Sequence, residues 1–407
     1  MGPCTFKIKN GPMCPCTSGS CTSNTCANAI EERCENCDHL MSLHSDYVPT
    51  SLSAGPPNPP KEPFPFHSDP HVCPRTSTVA KLAARLDEKR VVHVRGTPAS
   101  GKTILANLLW HHYLERGERV VFTERWPLDV LNARIHLARL CREFGYHEVQ
   151  PHNLTYANIV FIMDEAQQSY GASGSGLWNG FIKQQAYANG GPRICLFSSY
   201  GSPSTGATQR RDGTTPHIFD ASRRVSITLS SVPGSPDICL FYNEEEFEDV
   251  VTRTCEDPTT RFRFDPAAHQ YLYSVTSGHP GAVNALLHLV FNTYRSMLKK
   301  HANVRVTKEL LVQALDDEHR VFEMLKTCAV NRSFPSQRDL TPQASDVLRK
   351  VLVDGSIPYN FGDPGFNDCY EMGWIHSEAI DTDAAKIVCV LPSKLHEKFV
   401  EYYLSLR

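Results

Sequence analysis

Residues 96–103 read Gly96-Thr97-Pro98-Ala99-Ser100-Gly101-Lys102-Thr103 and match the pattern G-x-x-x-x-G-K-[ST] without a gap. Glycines let a backbone approach an anion closely, and the amides of such a loop and of the following helix point positive dipoles at phosphate. An apolar run, Val91 to Val94, precedes the loop, and a helical pattern from Lys102 to Arg116 follows it. With glycine at about 7% of residues, the four fixed positions coincide by chance in only about 1% of chains this long. The stretch therefore predicts a phosphate-binding loop between a strand and a helix.

Residue chemistry within this loop assigns two specific roles. The Lys102 ammonium is expected to reach the β- and γ-phosphates of a nucleoside triphosphate, and the Thr103 hydroxyl is expected to coordinate Mg²⁺. No Asn-Lys-x-Asp guanine signature is present in the chain. The loop therefore predicts binding of ATP with magnesium.

A second acidic feature follows an apolar run. Residues 158–165 read NIVFIMDE, so Ile159 to Met163 predicts a buried strand that ends at Asp164 and Glu165. Ligands of parallel sheets bind outside the carboxyl ends of the strands, where Asp164 would hold magnesium and Glu165 would orient or deprotonate the attacking water. The alternative is a strand that ends in two solvated acids. With Lys102, Glu165 is our candidate catalytic residue.

Several polar residues beyond the next strand are weaker candidates. Ile194 to Phe197 predicts another strand, and the serines after it, Ser198 and Ser199, could sense the γ-phosphate. The Gly/Ser/Thr-rich stretch 201–215 predicts a surface loop. An arginine finger could come from Arg210, Arg211, Arg223 or Arg224, although a solvated basic loop is the better explanation for any one of these arginines.

Strands that alternate with helices predict a parallel sheet with helices on both faces over residues 76–235. We expect Ser226 to Leu229 to be its fifth strand and Leu128 to Phe144 to be one of its helices. Residues 236–304 carry a helical pattern, and 305–407 mix helices with short strands around Tyr370 to His376 and Lys386 to Val390, as in a small winged-helix module. Residues 1–75 are rich in Cys and Pro, with six prolines in Ala54 to Phe66. We therefore expect four parts: 1–75, 76–235, 236–304 and 305–407.

Seven of the 15 cysteines lie in the first 37 residues. A C-x-x-C pair suits a zinc site, and four of these cysteines could supply a tetrahedral set: Cys21, Cys26, Cys34 and Cys37. The flanking sequence is polar and matches no known finger spacing. A disordered tail and a redox-active cluster remain competing interpretations.

Composition narrows the class of protein. The net charge of −3 and the hydrophobic fraction of 41% require neither a nucleic-acid partner nor a membrane. No apolar run is long enough for a transmembrane helix, and no secretory signal is visible at the start. We expect an intracellular protein, cytoplasmic or nuclear.

The motifs GTPASGKT and IVFIMDEA, and more weakly Ser277-Gly278-His279-Pro280-Gly281, resemble those of STAND and AAA-like P-loop ATPases. The last stretch is similar to the G-x-P motif of STAND proteins, in which a helical lid brings the proline to the nucleotide base. The resemblance implies that Pro280, and His279 beside it, would face adenine, and that a winged helix follows the lid. A Gly-Pro helix start explains Pro280 equally well. The layout is also similar to fungal and oomycete Crinkler-type NTPase modules.

Together these features predict a Mg²⁺-dependent ATP hydrolase whose nucleotide state drives a conformational or oligomerisation switch, with a homo-oligomer as the expected assembly. Two alternatives remain. A nucleic-acid-acting AAA-type ATPase would bind DNA through the winged helix, and a P-loop kinase would transfer phosphate to a second substrate. The sequence identifies no protein partner.

Overall fold

Five strands form the sheet that carries the phosphate loop. They are β1 (Val91–Arg95), β2 (Val120–Thr123), β3 (Val160–Met163), β4 (Arg193–Ser198) and β5 (Arg224–Val225). Their spatial order is β2-β3-β4-β1-β5, and every neighbouring pair is parallel. The computed structural model describes residues 63–67, 69–201, 219–256, 262–300, 305–336, 338–381 and 386–406. The predicted P-loop NTPase sheet is confirmed.

Helices cover this sheet. They are α1 (Thr76–Lys89), α2 (Lys102–Glu115), α3 (Ala133–Glu143) and α4 (Lys183–Ala186), the last preceded by a π-helical segment at Gly176–Ile182. Every residue of β1, β3 and β4 is buried, as expected for strands covered on both faces. The sheet and these helices share one hydrophobic core.

A mainly helical region follows the sheet. Its elements are α5 (Glu244–Glu256), β6 (Arg263–Phe264), α6 (Pro266–Thr276), α7 (Pro280–Lys300), β7 (Arg305–Val306), α8 (Lys308–Asp316) and α9 (Glu318–Leu325). The short strands β6 and β7 pair in parallel. The helices bury a second apolar core around residues such as Leu286, Phe322 and Leu325.

The last region mixes helices with a small antiparallel sheet. It contains α10 (Pro342–Asp354), β8 (Ile357–Pro358), α11 (Pro364–Glu371), β9 (His376–Ala379), β10 (Ile387–Val390) and α12 (Lys394–Ser405). The strands lie in the order β8-β10-β9. A third core forms around Phe366, Tyr370 and Trp374. The winged-helix interpretation of this region stays a prediction.

Three element predictions were wrong in detail. The fifth strand is β5 and not Ser226 to Leu229, because the carbonyls of Ser226 and Ile227 accept from Leu240 and Phe241, which takes that backbone out of the large sheet. Tyr370 to His376 is not one strand. The Asp363 side chain caps α11 by accepting from the amides of residues 365 and 366, and that helix continues to Glu371.

The third correction concerns α3. The helical pattern from Leu128 to Phe144 predicted a longer helix than the structure has. The helix begins only at Ala133, because the Asn132 side chain accepts from the amides of residues 134 and 135 and caps its start.

The N-terminal sequence lies mostly outside the described residues, and so do Cys21, Cys26, Cys34 and Cys37 with the proposed zinc site. The compact unit that holds the sheet begins at Lys61. A short 3₁₀ turn, Pro65–His67, forms within the proline-rich run, and the Phe64 amide donates to Asn107 Oδ1 on α2 at 3.3 Å. Over the described ranges, no helix has both the length and the apolar character needed to cross a bilayer.

A buried ion pair connects α1 to α5. Arg75 donates from Nε to Glu246 Oε2 at 3.0 Å and from Nη1 to the Leu240 carbonyl at 2.8 Å. The Thr78 hydroxyl donates to Glu246 Oε1 at 2.5 Å. Both charged side chains are less than a tenth exposed. The pair therefore fixes the start of α1 against the segment that leads from the sheet into the helical region.

We expect Arg75→Ala to lower the free energy of unfolding by about 3–5 kcal/mol, because it leaves the Glu246 carboxylate buried without its partner. Urea denaturation measures this. Arg85→Ala on the same helix is the control, since Arg85 pairs with the largely exposed Glu88, and it should cost less than about 1 kcal/mol. Equal losses in the two variants would contradict the role of the buried pair.

Candidate functional site

The phosphate loop closes on its own lysine. Lys102 Nζ donates to the carbonyls of Gly96 at 3.0 Å and Thr97 at 2.8 Å, and the residue is only 6% exposed. Gly101 has a φ of 86°, which glycine adopts without strain, and Ala99 has a φ of 59°, where a side chain is strained. Burial lowers the pKa of Lys102 to about 8, although the charges of Glu165 and Asp164 oppose that shift. A positive charge is thus held at the centre of the loop with only carbonyl dipoles as hydrogen-bond acceptors.

The acidic pair at the end of β3 faces the start of α2. Thr103 Oγ1 donates to Asp164 Oδ2 at 2.6 Å. Burial raises the pKa of Asp164, and the Thr103 hydroxyl partly offsets that rise. Glu165 follows with a φ of 49°, a strained conformation for a side-chain-bearing residue. The sheet edge therefore brings Lys102, Thr103, Asp164 and Glu165 to one place.

This place opens into a cavity of about 360 Å³. Thr103, Asp164 and Glu165 line it, together with Phe64 and Arg125. A hydroxyl and carboxylates are the hard oxygen ligands that Mg²⁺ prefers when it also binds a nucleotide's phosphates. The Thr103 and Asp164 oxygens already lie in hydrogen-bond contact, so this donor set fits the ion. Among the described residues, no group of three or more His, Cys, Asp or Glu forms a site that could hold a metal with protein ligands alone.

A glutamine connects Glu165 to the neighbouring strand. Gln167 Nε2 donates to Glu165 Oε2, and Gln167 Oε1 accepts from the Ser199 amide at 3.1 Å. Ser198 differs, because its side chain is fully buried and its hydroxyl lies 2.6 Å from His93 Nε2. Of the two serines proposed as phosphate sensors, Ser199 is thus the one joined to the acidic pair.

The first residues of α7 pack on the phosphate loop. The amide of Gly281 donates to the Ala99 carbonyl at 3.1 Å. The Pro280 ring lies close enough that a Cβ on Gly101 would be 3.2 Å from its Cγ. Pro280 therefore contacts the loop backbone, and its contact with adenine stays a prediction.

His279 is fully buried beside Pro280. Its Nδ1 accepts from the Ala282 amide at 3.2 Å, so Nε2 carries the proton and points at Thr97 Oγ1, 3.5 Å away. Burial lowers the pKa of His279 to about 3, which keeps the ring neutral. The rings of Phe241 and His396 lie 4.8 and 5.0 Å from it. Because these neighbours enclose the ring, His279 presents no face to a base in this arrangement.

The C-terminal region also reaches the loop. Gly373 has a φ of 72°, and a Cβ placed on it would lie 2.5 Å from Pro98 Cδ. Arg332 is exposed in the turn Ala329–Ser333. Burial is the main cause of the lowered pKa of Lys102, and the positive charge of Arg332 adds a smaller contribution in the same direction. Both regions that follow the sheet therefore contact or face the phosphate loop.

The proposed arginine fingers fall in different places. Arg210 and Arg211 lie outside the described residues. Arg223 donates to the carbonyls of Lys89 and Ala186 and pairs with Asp220. Lys89 precedes β1, so the Arg223 side chain is directed away from the loop. Arg224 lines a different cavity.

Sequence patterns did not reveal Gln167, Gly373 or Arg332. Gln167 follows the acidic pair directly in the sequence 164–167 (DEAQ), and a polar side chain that close to a catalytic carboxylate could have been a signal. Gly373 and Arg332 carry no local signal, because only the tertiary fold brings their segments to residues 96–103.

No protein-family model matches the chain, and no curated protein matches it by sequence. Among solved structures it is similar to the Walker-type ATPase paby2304 of Pyrococcus abyssi, with 14% identity over 84% of this chain and 99% of that one and a TM-score of 0.44. It is also similar to the RuvB Holliday junction branch migration motor of Thermotoga maritima, with 14% identity over 77% of this chain and 91% of that one and a TM-score of 0.34. A third similar structure is the Aeropyrum pernix ORC2 protein in its ADPNP–ADP complexes. The identity is 12% over 85% of this chain and 96% of that one, and the TM-score is 0.34. Since likenesses this distant say nothing of activity, we take the fold from the sheet topology and the site from this chain's own residues.

We expect Gly373→Ala to weaken ATP binding by about tenfold or more, because its Cβ would displace Pro98 and with it the loop. The matched control is Gly355→Ala. Gly355 has the same φ of 72°, but apart from its chain neighbours no atom of a described residue lies within 4 Å of where its Cβ would be. It therefore reproduces the backbone strain, of about 1–2 kcal/mol, without the collision. Calorimetric titration with a non-hydrolysable ATP analogue measures both. Equal affinities in the two variants would contradict the contact's importance.

We expect Lys102→Met to stabilise the nucleotide-free protein at neutral pH by up to about 3 kcal/mol while abolishing nucleotide binding. The pKa of Lys102 falls from 10.5 to about 8 on folding. Between these values the unfolded state binds more protons, so this group makes stability rise as pH increases from about 8 to 10.5. Urea unfolding over this range measures the slope, which should be smaller in the variant. An unchanged slope would mean that the buried ammonium does not cause it.

Proposed function

We propose that this chain is a Mg²⁺-dependent ATPase whose nucleotide state sets the arrangement of the sheet domain (76–235), the helical lid (236–304) and the C-terminal module (305–407). The observation that carries the proposal is the contact of one loop with all three parts. Residues 96–103 directly follow β1 of the sheet. The Ala99 carbonyl accepts from the Gly281 amide of the lid, and Pro98 lies against Gly373 of the C-terminal module. A ligand that reshapes the loop therefore acts on all three at once.

The phosphate-binding chemistry follows from the charges at the sheet edge. Lys102 would exchange its two carbonyl acceptors, Gly96 and Thr97, for the β- and γ-phosphate oxygens, which are stronger acceptors because they are charged. Thr103 and Asp164 would hold Mg²⁺, which neutralises phosphate charge when bound. The charge of Arg332 adds to the positive potential at Lys102.

Glu165 is our candidate for the residue that orients the attacking water. Its carboxylate lines the cavity beside Thr103, and Gln167 holds it toward Ser199 at the end of the neighbouring strand. Ser199 would thereby report the γ-phosphate to Glu165. Catalysis would consist of positioning and charge stabilisation, without a covalent intermediate.

The switch would come from the loop's own rearrangement. Nucleotide entry would break the two Lys102 bonds, and the Ala99 carbonyl of the same loop accepts from the Gly281 amide of the lid. A near-complete shift between two arrangements needs a difference in binding free energy of about 5.5 kcal/mol. Contacts to the γ-phosphate and to magnesium that exist with ATP and not with ADP can supply such a difference. Homo-oligomerisation of the ATP form is the expected output.

The decisive variant is Glu165→Gln. We expect ATP binding to persist and phosphate release to fall by about 10²–10⁴-fold, the usual contribution of a positioned general base. Malachite-green or coupled-enzyme assays measure release, and calorimetry measures binding. The matched control is Glu124→Gln, because Glu124 lines the same cavity and should leave the rate unchanged.

Unimpaired hydrolysis in Glu165→Gln would refute the role of Glu165. Further measurements distinguish the alternative functions that the sequence left open. Strong stimulation by DNA would favour a nucleic-acid-acting ATPase, and phosphate found on a second substrate would favour a kinase. Size-exclusion chromatography of Glu165→Gln with ADP and with ATP tests the switch, since a nucleotide-driven assembly predicts a larger species with ATP only.

A further inference from the structure

A second, smaller cavity lies beside the end of the strand that leads into the phosphate loop. Its volume is about 30 Å³. One water needs about 10–15 Å³ of such space, so the cavity holds more than one water and has no room for a nucleoside. Its lining includes two arginines, three serines and one carboxylate: Arg95, Arg224, Ser226, Ser230, Ser235 and Glu378.

The two arginines are not neutralised by their surroundings. Arg95 is 5% exposed, and among the described residues its side chain bonds only to Ser377, from Nη1 to the hydroxyl at 3.1 Å and from Nη2 to the carbonyl at 3.4 Å. Its Nε is buried and has no hydrogen-bond partner in the part of the chain that the structure describes. Across the described residues no carboxylate lies within ion-pair distance of either Arg95 or Arg224.

Arg224 is in the more unusual position. It is half-buried, its Nε has no partner, and its side chain forms no hydrogen bond with any described residue. Burial and the charge of Arg95 lower the pKa of Arg224 to about 10, although Asp220 and Asp381 favour the charged form. Two like charges therefore share a partly dry cavity, an arrangement that costs free energy unless an anion joins them.

Glu378 does not supply that anion in this structure. Its Oε1 accepts from the Thr228 hydroxyl at 3.3 Å, and it makes no ion pair with either arginine. Burial raises the pKa of Glu378, although the charge of Arg95 opposes the shift. When ionised, Glu378 would lower the net positive charge of the cavity from two to one without filling it.

We propose that this cavity is a binding site for a small tetrahedral oxyanion of the phosphate class. Arginine guanidinium groups match the geometry of phosphate oxygens, and serine hydroxyls can donate to the remaining ones. Arg95 directly precedes Gly96 of the phosphate loop, Arg224 begins β5, and Glu378 belongs to β9. A bound oxyanion would therefore join the strand behind the phosphate loop to the C-terminal sheet.

The test must separate this site from the phosphate loop, which also attracts phosphate. We therefore use the full chain with Lys102→Met, in which the loop lacks its lysine. Thermal unfolding is followed with increasing inorganic phosphate at constant ionic strength, balanced with chloride. We expect the midpoint to rise by several degrees at saturating phosphate. The rise should vanish when Arg224→Gln is added and persist when Arg349→Gln, an exposed arginine on α10, is added instead.

A second pair of measurements guards against a variant that simply unfolds. Because the Arg224 side chain donates to no described residue and faces a like charge, Arg224→Gln should be as stable as its parent, or more stable, without phosphate. Glu378→Gln should bind phosphate several-fold more tightly, since it removes a competing negative charge. Equilibrium dialysis with radiolabelled phosphate measures this affinity directly.

Each outcome decides the proposal. No phosphate-dependent rise in Lys102→Met, or a rise that survives Arg224→Gln, overturns it, and so does an equal rise with chloride alone. Loss of stability in Arg224→Gln without phosphate would make the residue structural and also overturn it. If AMP, in place of free phosphate, produces a rise that depends on Arg224, the oxyanion is the end of a larger molecule. None of these results depends on ATP hydrolysis, so they stand apart from the test of Glu165.

Discussion

The buried ammonium of Lys102 is the constraint on which the site depends. A charge removed from water needs either an opposite charge or several well-placed dipoles. Here two loop carbonyls, Gly96 and Thr97, accept its hydrogen bonds, while the carboxylates of Asp164 and Glu165 attract it from the end of β3. Burial correspondingly raises the pKa of Asp164. Positive and negative groups thus lie at the same edge of the sheet, and under our proposal each would be more stable with a hydrated metal–phosphate complex between them.

The loop that holds this lysine is itself shaped by distant segments. Ala99 keeps a φ of 59° while its carbonyl accepts from Gly281, and Pro98 lies against Gly373. Strained residues persist only where their surroundings hold them in place. The two regions that follow the sheet are therefore part of the loop's structure, and this is why we propose that nucleotide binding affects their arrangement.

The sequence predicted what local patterns can encode. The loop, the apolar strand before Asp164 and the alternation of strands and helices are local, and the structure has the parallel sheet they implied. One error has a tertiary cause, since Ser226 and Ile227 pair with residues 240–241 and leave the sheet. The other two were local caps that the patterns missed, from Asn132 on α3 and Asp363 on α11. Arg224 shows the limit most clearly. From sequence it was one of several arginines in or near a basic loop, and only the fold places it beside Arg95 in a cavity.

The residues that hold the phosphate loop in place lie far from it in the sequence, and this distance affects how the protein folds. Thr97 meets His279 across 182 residues of sequence, and Arg95 meets Ser377 across 282. Contacts this far apart in sequence form slowly, because a long loop of chain must close before they contribute any stability. During synthesis the motif leaves the ribosome long before the segments that shape it. The chain should therefore acquire its nucleotide affinity as one of its last folding events, when the C-terminal sheet docks.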